Sequence, residues 1–499
     1  MKKLFLLCII CFINIFFIFG QKKREMRAVW VATVNNIDWS PKNEFEPYRQ
    51  REAMLRILDT LEVLKINTLI FQIRPTADAF YMSQYETWSR FLTGNQGVVP
   101  NPMYDPLEFV IEEAHKRNIE VHVWLNPYRV LNVDNINLLN PSHLYFKNPK
   151  IFVKYGTQYY FNPAYAETRE YLKNIVADIV SHYDIEAVHI DDYFYPYPIR
   201  GEEFPDNEAF KEENRGFKNK NDWRRDNVNL AIDLISKTIK DIKPYVEFGV
   251  SPFGVWRNKG TDPNGSDTKA LSNYDDLYAD VLKWLKEDKI DYVMPQLYWE
   301  IGHKNANYSV LADWWNKNSF GHNLYIGLFA SNLGVGQGVW RNGNELVRQM
   351  KYNRKFANIQ GVGLYSAVAL MENRGAICDS LKNDFFKYHA LVPASSFAPK
   401  DKPKSPVNVR VVQNNHIARM LLYWDNPLKN DVLYYVVYYF DKKAKADISN
   451  PKNIWKITRD NCLDITALTQ KKEEYKIVVT AVNRYKIESE PTGEVKIEN

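Results

Sequence analysis

From Ala28 to about Tyr388 the chain alternates short apolar runs with longer stretches whose apolar residues recur every three or four positions. The runs read AVWVATV (28–34), TLIFQIR (68–74), IEVHVWL (119–125), EAVHIDD (186–192), VEFGVSP (246–252), IDYVMPQLYW (290–299), LYIGLFA (324–330) and GVGLYSA (361–367). Runs of this length read as buried strands, while REAMLRILDTLEVLK and PLEFVIEEAHKRN between them have the spacing of amphipathic helices. Eight such units in even rhythm predict an α/β fold, a (β/α)8 barrel, with an open doubly wound sheet as the alternative.

Several runs turn polar at their C-terminal ends, at Arg74, Asn126, Asp191, Ser251, Gln296, Tyr298 and Ser366. In a barrel those ends converge on one mouth, where active sites are built. Strand alternation puts Gln72 with Arg74, Trp124 with Asn126, His189 with Asp191, and Gln296 with Tyr298 on common faces. These pairs are expected to point inward together. His122 and His189 lie within strands and read as hydrogen-bonded interior histidines.

The pattern changes after the barrel. Residues 391–404 are polar and proline-rich, as suits a linker. Residues 405–499 carry short strands, VNVRVVQ, RMLLYW, VLYYVVYYF, YKIVVTAVN and EVKIEN, with one strand poorly defined near 453–459. This length and rhythm predict a small all-β sandwich. It resembles a fibronectin type III domain, with Trp424 as the core tryptophan of the second strand and Leu468 and Tyr475 near a corner. The simplest expectation for it is a spacer or docking module that can be removed without loss of activity on short oligosaccharides.

The first 20 residues have a basic start and an apolar stretch ending near Gly20, the plan of a secretory signal peptide. The expected location is therefore periplasmic or extracellular, with membrane contact only if the segment stays uncleaved. Cys8 and Cys11 in that segment lack the small neighbours of a lipoprotein cleavage site, and Cys378 and Cys462 are too distant in sequence to suggest a disulfide framework or zinc site. Loss of Lys2 and Lys3 with a leader takes the formal charge of +5 to about +3, which gives no reason to expect nucleic acid. The excess lies instead in 13 Trp and 32 Tyr, side chains on which the apolar faces of sugar rings stack.

The sharpest chemical signal is HIDDYFYPYP (189–198), in which Asp191 and Asp192 end a strand and an aromatic patch beginning at Tyr193 follows. Two carboxylates in a shielded cleft cannot both ionise freely, so one is expected to hold a proton that a leaving group can take. Glycoside cleavage needs such an acid and a second group to stabilise or capture the developing cation. Either a 2-acetamido group of the substrate supplies the nucleophile, with one aspartate orienting it, or a carboxylate from another strand end does, for which Glu300 is the nearest candidate. Arg74, and Tyr128 and Arg129 in LNPYR, are candidate substrate contacts, as are Asn126, Tyr193, Ser251, Gln296 and Tyr298. Asp38 beside Trp39, and Asp78 near Tyr81, are further candidates for hydroxyl binding. Trp256 in SPFGVWRN and Trp299 in MPQLYWE are candidate sugar platforms. No cofactor or metal is called for, and no HExxH, GxSxG or phosphate-binding glycine loop occurs.

FQIRPTADAFY, ETWSRFLTGNQG, YDPLEFVIEEAHKRNIEVHVWLNPYR, HIDDYFYPYP, FGVSPFGVWRN and YVMPQLYWEIG, in this order, resemble the glycosyl-hydrolase-like family 10 proteins over roughly residues 25–390. The resemblance implies a secreted glycosidase-type barrel acting on a polysaccharide, with bacterial cell-wall glycan among the expected substrates. It puts the acidic pair on Asp191 and Asp192, and strand-end motifs on Arg74, Asn126, Arg129, Ser251 and Gln296. Two functions follow as expectations: a glycoside hydrolase, or a non-catalytic glycan-binding barrel. In the second case the aspartates would be tied up by Arg74 or Arg129, with no second carboxylate within reach.

Overall fold

The computed structural model describes residues 21–414, 419–427, 432–469 and 474–497; the expected leader, 1–20, lies outside them. Eight parallel strands close into a barrel in sequence order: β1 (Met26–Val31), β2 (Thr68–Arg74), β3 (Glu120–Leu125), β4 (Ala187–Ile190), β5 (Glu247–Val250), β6 (Tyr292–Val293), β7 (Asn323–Leu328) and β8 (Ile359–Leu364). Closure comes from β8 pairing back onto β1, with Met26 opposite Gly361 and Val29 opposite Leu364. β2 is buried at all seven positions, the state of a strand covered by helices outside and side chains inside. Helices Pro47–Val63, Pro106–Lys116, Ala166–His182 and Lys220–Ile242 are among those that form the outer layer. The second begins where Asp105 accepts the N–H groups of Leu107 and Glu108.

β6 is much shorter than the apolar run IDYVMPQLYW suggests. Pro295 has no N–H to give to a ladder, so regular pairing stops at Val293 and resumes only as single bridges from Gln296 to Phe253 and Gly327. Inside the barrel Trp30, Ile70, Trp124, Tyr292, Met294 and Tyr325 pack together. Tyr292 reaches across the interior because its neighbour on β5 is a glycine: a Cβ on Gly249 would lie 1.9 Å from the phenol ring.

Arg129–Leu131 pairs with the hairpin Phe152–Tyr155 and Gln158–Phe161 to make a small antiparallel sheet beside the mouth, an element the chain pattern did not reveal. The C-terminal region forms two antiparallel sheets from β9 (Val407–Asn414), β10 (Arg419–Asp425), β11 (Val432–Asp441), β12 (Ile454–Thr458), β13 (Cys462–Asp464), β14 (Tyr475–Asn483) and β15 (Val495–Ile497). Their orders are β9-β10-β13 and β12-β11-β14-β15, around a core of Leu422, Trp424, Tyr435, Leu468 and Ile477. No helix among the described residues is long and apolar enough to cross a membrane.

The sandwich does not hang on a free tether. Leu391 and Val392 are buried, Leu391 bridges to Arg24, and the Ser395 hydroxyl donates to Asp291. Arg484 pairs with Asp184, Arg459 with Glu186 and Lys23 with Glu488. Lys486, in the turn after β14, is buried at the N-terminal end of the barrel between Glu120 of β3 and Glu247 of β5. These contacts argue against a removable spacer and make the sandwich the floor of the barrel.

Candidate active site

All eight barrel strands, or the residues just after them, send a side chain into one cleft of about 510 Å³ at the C-terminal mouth. Trp30, Gln72, Trp124, Asp191 and Asp192, Ser251, Gln296 and Tyr298, Phe329 and Tyr365 follow in order around it. Tyr298 stacks on Phe329 with ring centres 4.9 Å apart and leans on Tyr365, so one wall is a continuous aromatic surface. Arg129, Asn132 and Gln158 from the small sheet, with Asn35 and Ile37 from the loop after β1, complete the rim. The Asn132 amide donates to the Asn35 side-chain oxygen at 2.8 Å, tying two of these loops together.

Asp191 and Asp192 are both almost fully buried. The Trp124 indole N–H donates to Asp191 Oδ2 at 2.9 Å, Asn126 Nδ2 donates at 3.3 Å, and the Tyr193 N–H donates to Oδ1 at 3.3 Å. Asp192 accepts the Tyr197 hydroxyl, and Gln296 Nε2 at 3.1 Å. Burial, with the neighbouring charge of Asp192, pushes the Asp191 carboxyl up to about 7. Burial raises Asp192 as well, against the pull of its Tyr197 and Gln296 hydrogen bonds. Arg129 stacks over Tyr193 at 4.2 Å and favours the ionised form of both aspartates without forming an ion pair to either. Burial thus disfavours ionising both of these side-by-side carboxylates at once, and they titrate as an interacting pair.

The candidates divide by position. Asp191, Asp192, Arg129, Tyr193, Ser251, Gln296 and Tyr298 line the cleft, and Asn126 sits behind Asp191 as its donor. Arg74 does not reach the cleft. A register shift between Gln72 and Arg74 breaks the expected alternation and turns the guanidinium into the shell, where it forms a two-pronged bond to Glu86 and donates to the carbonyls of Asn126 and Pro127. Tyr128 is core, and Asp78 is buried with Thr76 and Gln96, its carboxyl pushed up to about 7 by burial. Asp38 joins the loops after β1 and β8 by accepting Ala32 N–H, Val368 N–H and the Ser366 hydroxyl.

Trp256 stacks on Trp314, and Trp299 packs edge-on against Phe253, both outside the cleft lining. Glu300 is also outside it, so the cleft-lining carboxylates among the described residues are Asp191 and Asp192. Sequence reasoning missed Trp30, Tyr197, Phe329 and Tyr365; Tyr197 lay within the aromatic patch it had singled out. A larger hollow of about 620 Å³ on the barrel flank, lined by Asp105, His115 and Asp178, shares no residue with the mouth. No cluster of histidine, cysteine and acidic side chains among the described residues is arranged to hold a metal ion.

A profile of the family described as "Glycosyl hydrolase-like 10" matches residues 25–340. The chain belongs to this family. It is 42% identical over 480 residues to "Glycosyl hydrolase YngK" of Bacillus subtilis (strain 168), covering 94% of this chain and 93% of that one. It is 39% identical over 369 residues to "Glycosyl hydrolase DigH" of Escherichia coli (strain K12), covering 69% of this chain and 83% of the relative. Among solved structures it is similar to the PgaB (BpsB) glycoside hydrolase domain from Bordetella bronchiseptica, with a TM-score of 0.46 and 13% identity over 72% of this chain and 99% of that one. The family match covers the strands from β1 to β7 and therefore most of the mouth, including the acidic pair.

Proposed function

We propose that this family member is an exported glycoside hydrolase that cleaves an N-acetylated polysaccharide with the help of the substrate's own acetamido group. The observation that carries this reading is the pairing of the cleft's carboxylates on adjacent residues, with no third carboxylate among the described residues of the lining to act from another strand end. A direct retaining mechanism needs a partner carboxylate about 5–5.5 Å from the acid across the scissile bond, and an inverting one needs it farther away. An acetamido oxygen removes that need.

Asp191, held by Trp124, Asn126 and the Tyr193 N–H, is the orienting group. An amide N–H donated to it favours its ionised form and moves the shared proton to Asp192. Asp192 then protonates the glycosidic oxygen as the acetamido oxygen attacks C1 and the C1–O bond breaks. In the second half, Asp192 takes a proton from water as the water oxygen adds to C1 and the acetamido oxygen leaves. The aromatic wall of Tyr298, Phe329 and Tyr365 offers faces for sugar rings.

A non-catalytic glycan-binding barrel is the second reading, since it too has no third carboxylate. Against it, Arg74 is committed to Glu86 and Arg129 stacks on Tyr193 without an ion pair to either aspartate, so the hydrogen bonds to Asp191 and Asp192 come from neutral donors. The paired sheets and buried Trp424 support a fibronectin type III-like reading of residues 405–499, and the basic, then apolar, start of the chain supports export.

The deciding experiment measures reducing-end release by the purified protein on N-acetylated and non-acetylated glycans, including peptide-free cell-wall strands. Activity confined to acetamido substrates is expected. Equal turnover of a non-acetylated glycan would overturn substrate assistance, and binding without release would favour the second reading. The pH profile is expected to be a bell, because the pair must carry one proton. On the alkaline side activity falls as pH rises past about 7, the value to which burial and the charge of Asp192 push Asp191, because the pair then holds no proton for Asp192 to donate. On the acid side it falls once both carboxyls are protonated, at a pH above the ordinary range of an aspartate because burial raises Asp192 too. A flat profile between pH 5 and pH 9 would contradict the shared-proton account.

A further inference from the structure

A line of hydrogen bonds runs down the barrel axis from the sandwich to the cleft. Lys486 Nζ lies 2.7 Å from Glu247 Oε2 and 3.2 Å from Glu120 Oε2. Glu120 Oε2 is 3.4 Å from His122 Nε2, and His122 Nδ1 is 2.9 Å from the Tyr292 hydroxyl. The same hydroxyl is 2.9 Å from His189 Nδ1, and His189 Nε2 is 2.9 Å from Ser251 Oγ, which lines the cleft. Every residue on this path is buried. Lys486 also holds a φ of 64°, uncommon for a side chain of its size, in the turn that delivers it.

We propose that Lys486 is a positioning residue for the cleft: by neutralising the foot of the barrel it sets the direction of this chain and so makes the Ser251 hydroxyl an acceptor toward the substrate. The direction follows link by link. With Glu120 accepting beside the Lys486 ammonium, a His122 that bears one proton carries it on Nε2 and accepts at Nδ1 from the Tyr292 O–H. Tyr292 has one proton and has spent it, so its oxygen accepts from His189 Nδ1–H. His189, kept neutral by burial, then accepts at Nε2 from Ser251 O–H. With its proton directed inward, Ser251 Oγ presents lone pairs to the cleft. It therefore suits a substrate N–H or O–H, a consequence that rests on the glycosidase reading above.

The charges at the foot are Glu120, Glu247 and Lys486, with Asp291 beside Glu247 and itself paired to Lys240, and with Arg24, which donates to the Lys486 carbonyl and faces Glu488. Without Lys486 two buried carboxylates face His122 with no cation between them. A proton taken up there, on Glu120 or on His122, restores the balance. In either case His122 donates from Nδ1, so Tyr292 must donate to His189 Nδ1 instead, and His189 Nε2–H donates to Ser251. Each link from His122 to Ser251 reverses, and the serine proton turns to the cleft.

The test is nitrogen NMR of the histidine rings in the full-length chain, labelled at histidine and assigned with His122→Gln and His189→Gln. In the unaltered protein His122 is expected to be protonated at Nε2 alone and His189 at Nδ1 alone. In Lys486→Gln, His122 is expected to carry a proton on Nδ1 and His189 its proton on Nε2. A His189 protonated at Nε2 in the unaltered protein, or ring states indifferent to Lys486→Gln, would overturn the proposal. Should Lys486→Gln not fold, Tyr292→Phe keeps the ring against Gly249 and cuts the relay: His189 is expected to move its proton to Nε2 while His122 stays as it was, and a His189 fixed at Nδ1 refutes the relay. In kinetics, Lys486→Gln is expected to lower kcat/KM about tenfold in the normal background and little further in Ser251→Ala, whereas equal losses in both would mark a merely structural role. The ring states are readable with no substrate at all, so failure of the glycosidase reading and failure of this one are separable.

Discussion

Asp192→Asn is expected to lower turnover by about 10²–10⁴-fold while leaving glycan binding and thermal unfolding close to those of the unaltered protein. The amide keeps the size of the side chain and can still meet Tyr197 and Gln296, its two partners in the cleft. What it lacks is a transferable proton. The loss should therefore shrink on substrates whose leaving group departs without protonation, such as nitrophenyl glycosides, and persist on natural linkages. Asp191→Asn separates the roles: an orienting carboxylate is needed whatever the leaving group, so its loss should be similar on both substrates. Kinetics on a matched pair of substrates check this, and full activity in Asp192→Asn would remove that residue from the mechanism. If the leaving-group rescue appeared instead in Asp191→Asn, the two roles would be exchanged.

The second large effect is on stability. Arg74→Met is expected to destabilise the barrel by about 3–5 kcal/mol, read as a lower denaturant midpoint, because it leaves Glu86 charged and buried with no cation opposite. The guanidinium also holds the carbonyls of Asn126 and Pro127, so the loop carrying Asn126 and Arg129 should loosen and activity should fall as well. Adding Glu86→Gln removes the stranded charge and is expected to recover much of the stability but not the activity. A single variant as stable as the unaltered protein would show that the pair contributes nothing net.

The barrel was legible because its strands are buried on both sides, which writes each as an apolar run that few other structures require. The mouth was legible for the same reason: along such a run a polar residue near the C-terminal end stands out, and Ser251, Gln296 and the aspartates were found that way. The errors begin where strand geometry ends. One extra residue in the β2–β3 register swung Arg74 from the cleft into the shell, and no composition signal marks such a bulge. Trp256, Trp299 and Glu300 lie several residues beyond their strands, where alternation no longer dictates direction. Trp30 was hidden because an aromatic residue inside an apolar strand reads as core, and Gln158 because its hairpin takes its place from tertiary packing. The contact of Lys486 with Glu120 joins residues hundreds of positions apart, and nothing local to either announces it.

The sandwich is docked at the end of the barrel opposite the cleft, and that placement separates two tasks in space. Strands of six or seven residues, tilted as in a barrel, put the mouth roughly 15 Å from the floor. Anything gripped by the outward surface of the sandwich is thus held on the far side of the molecule from the acidic pair. A protein attached in that way would carry its open end outward, as a lamp faces away from its bracket.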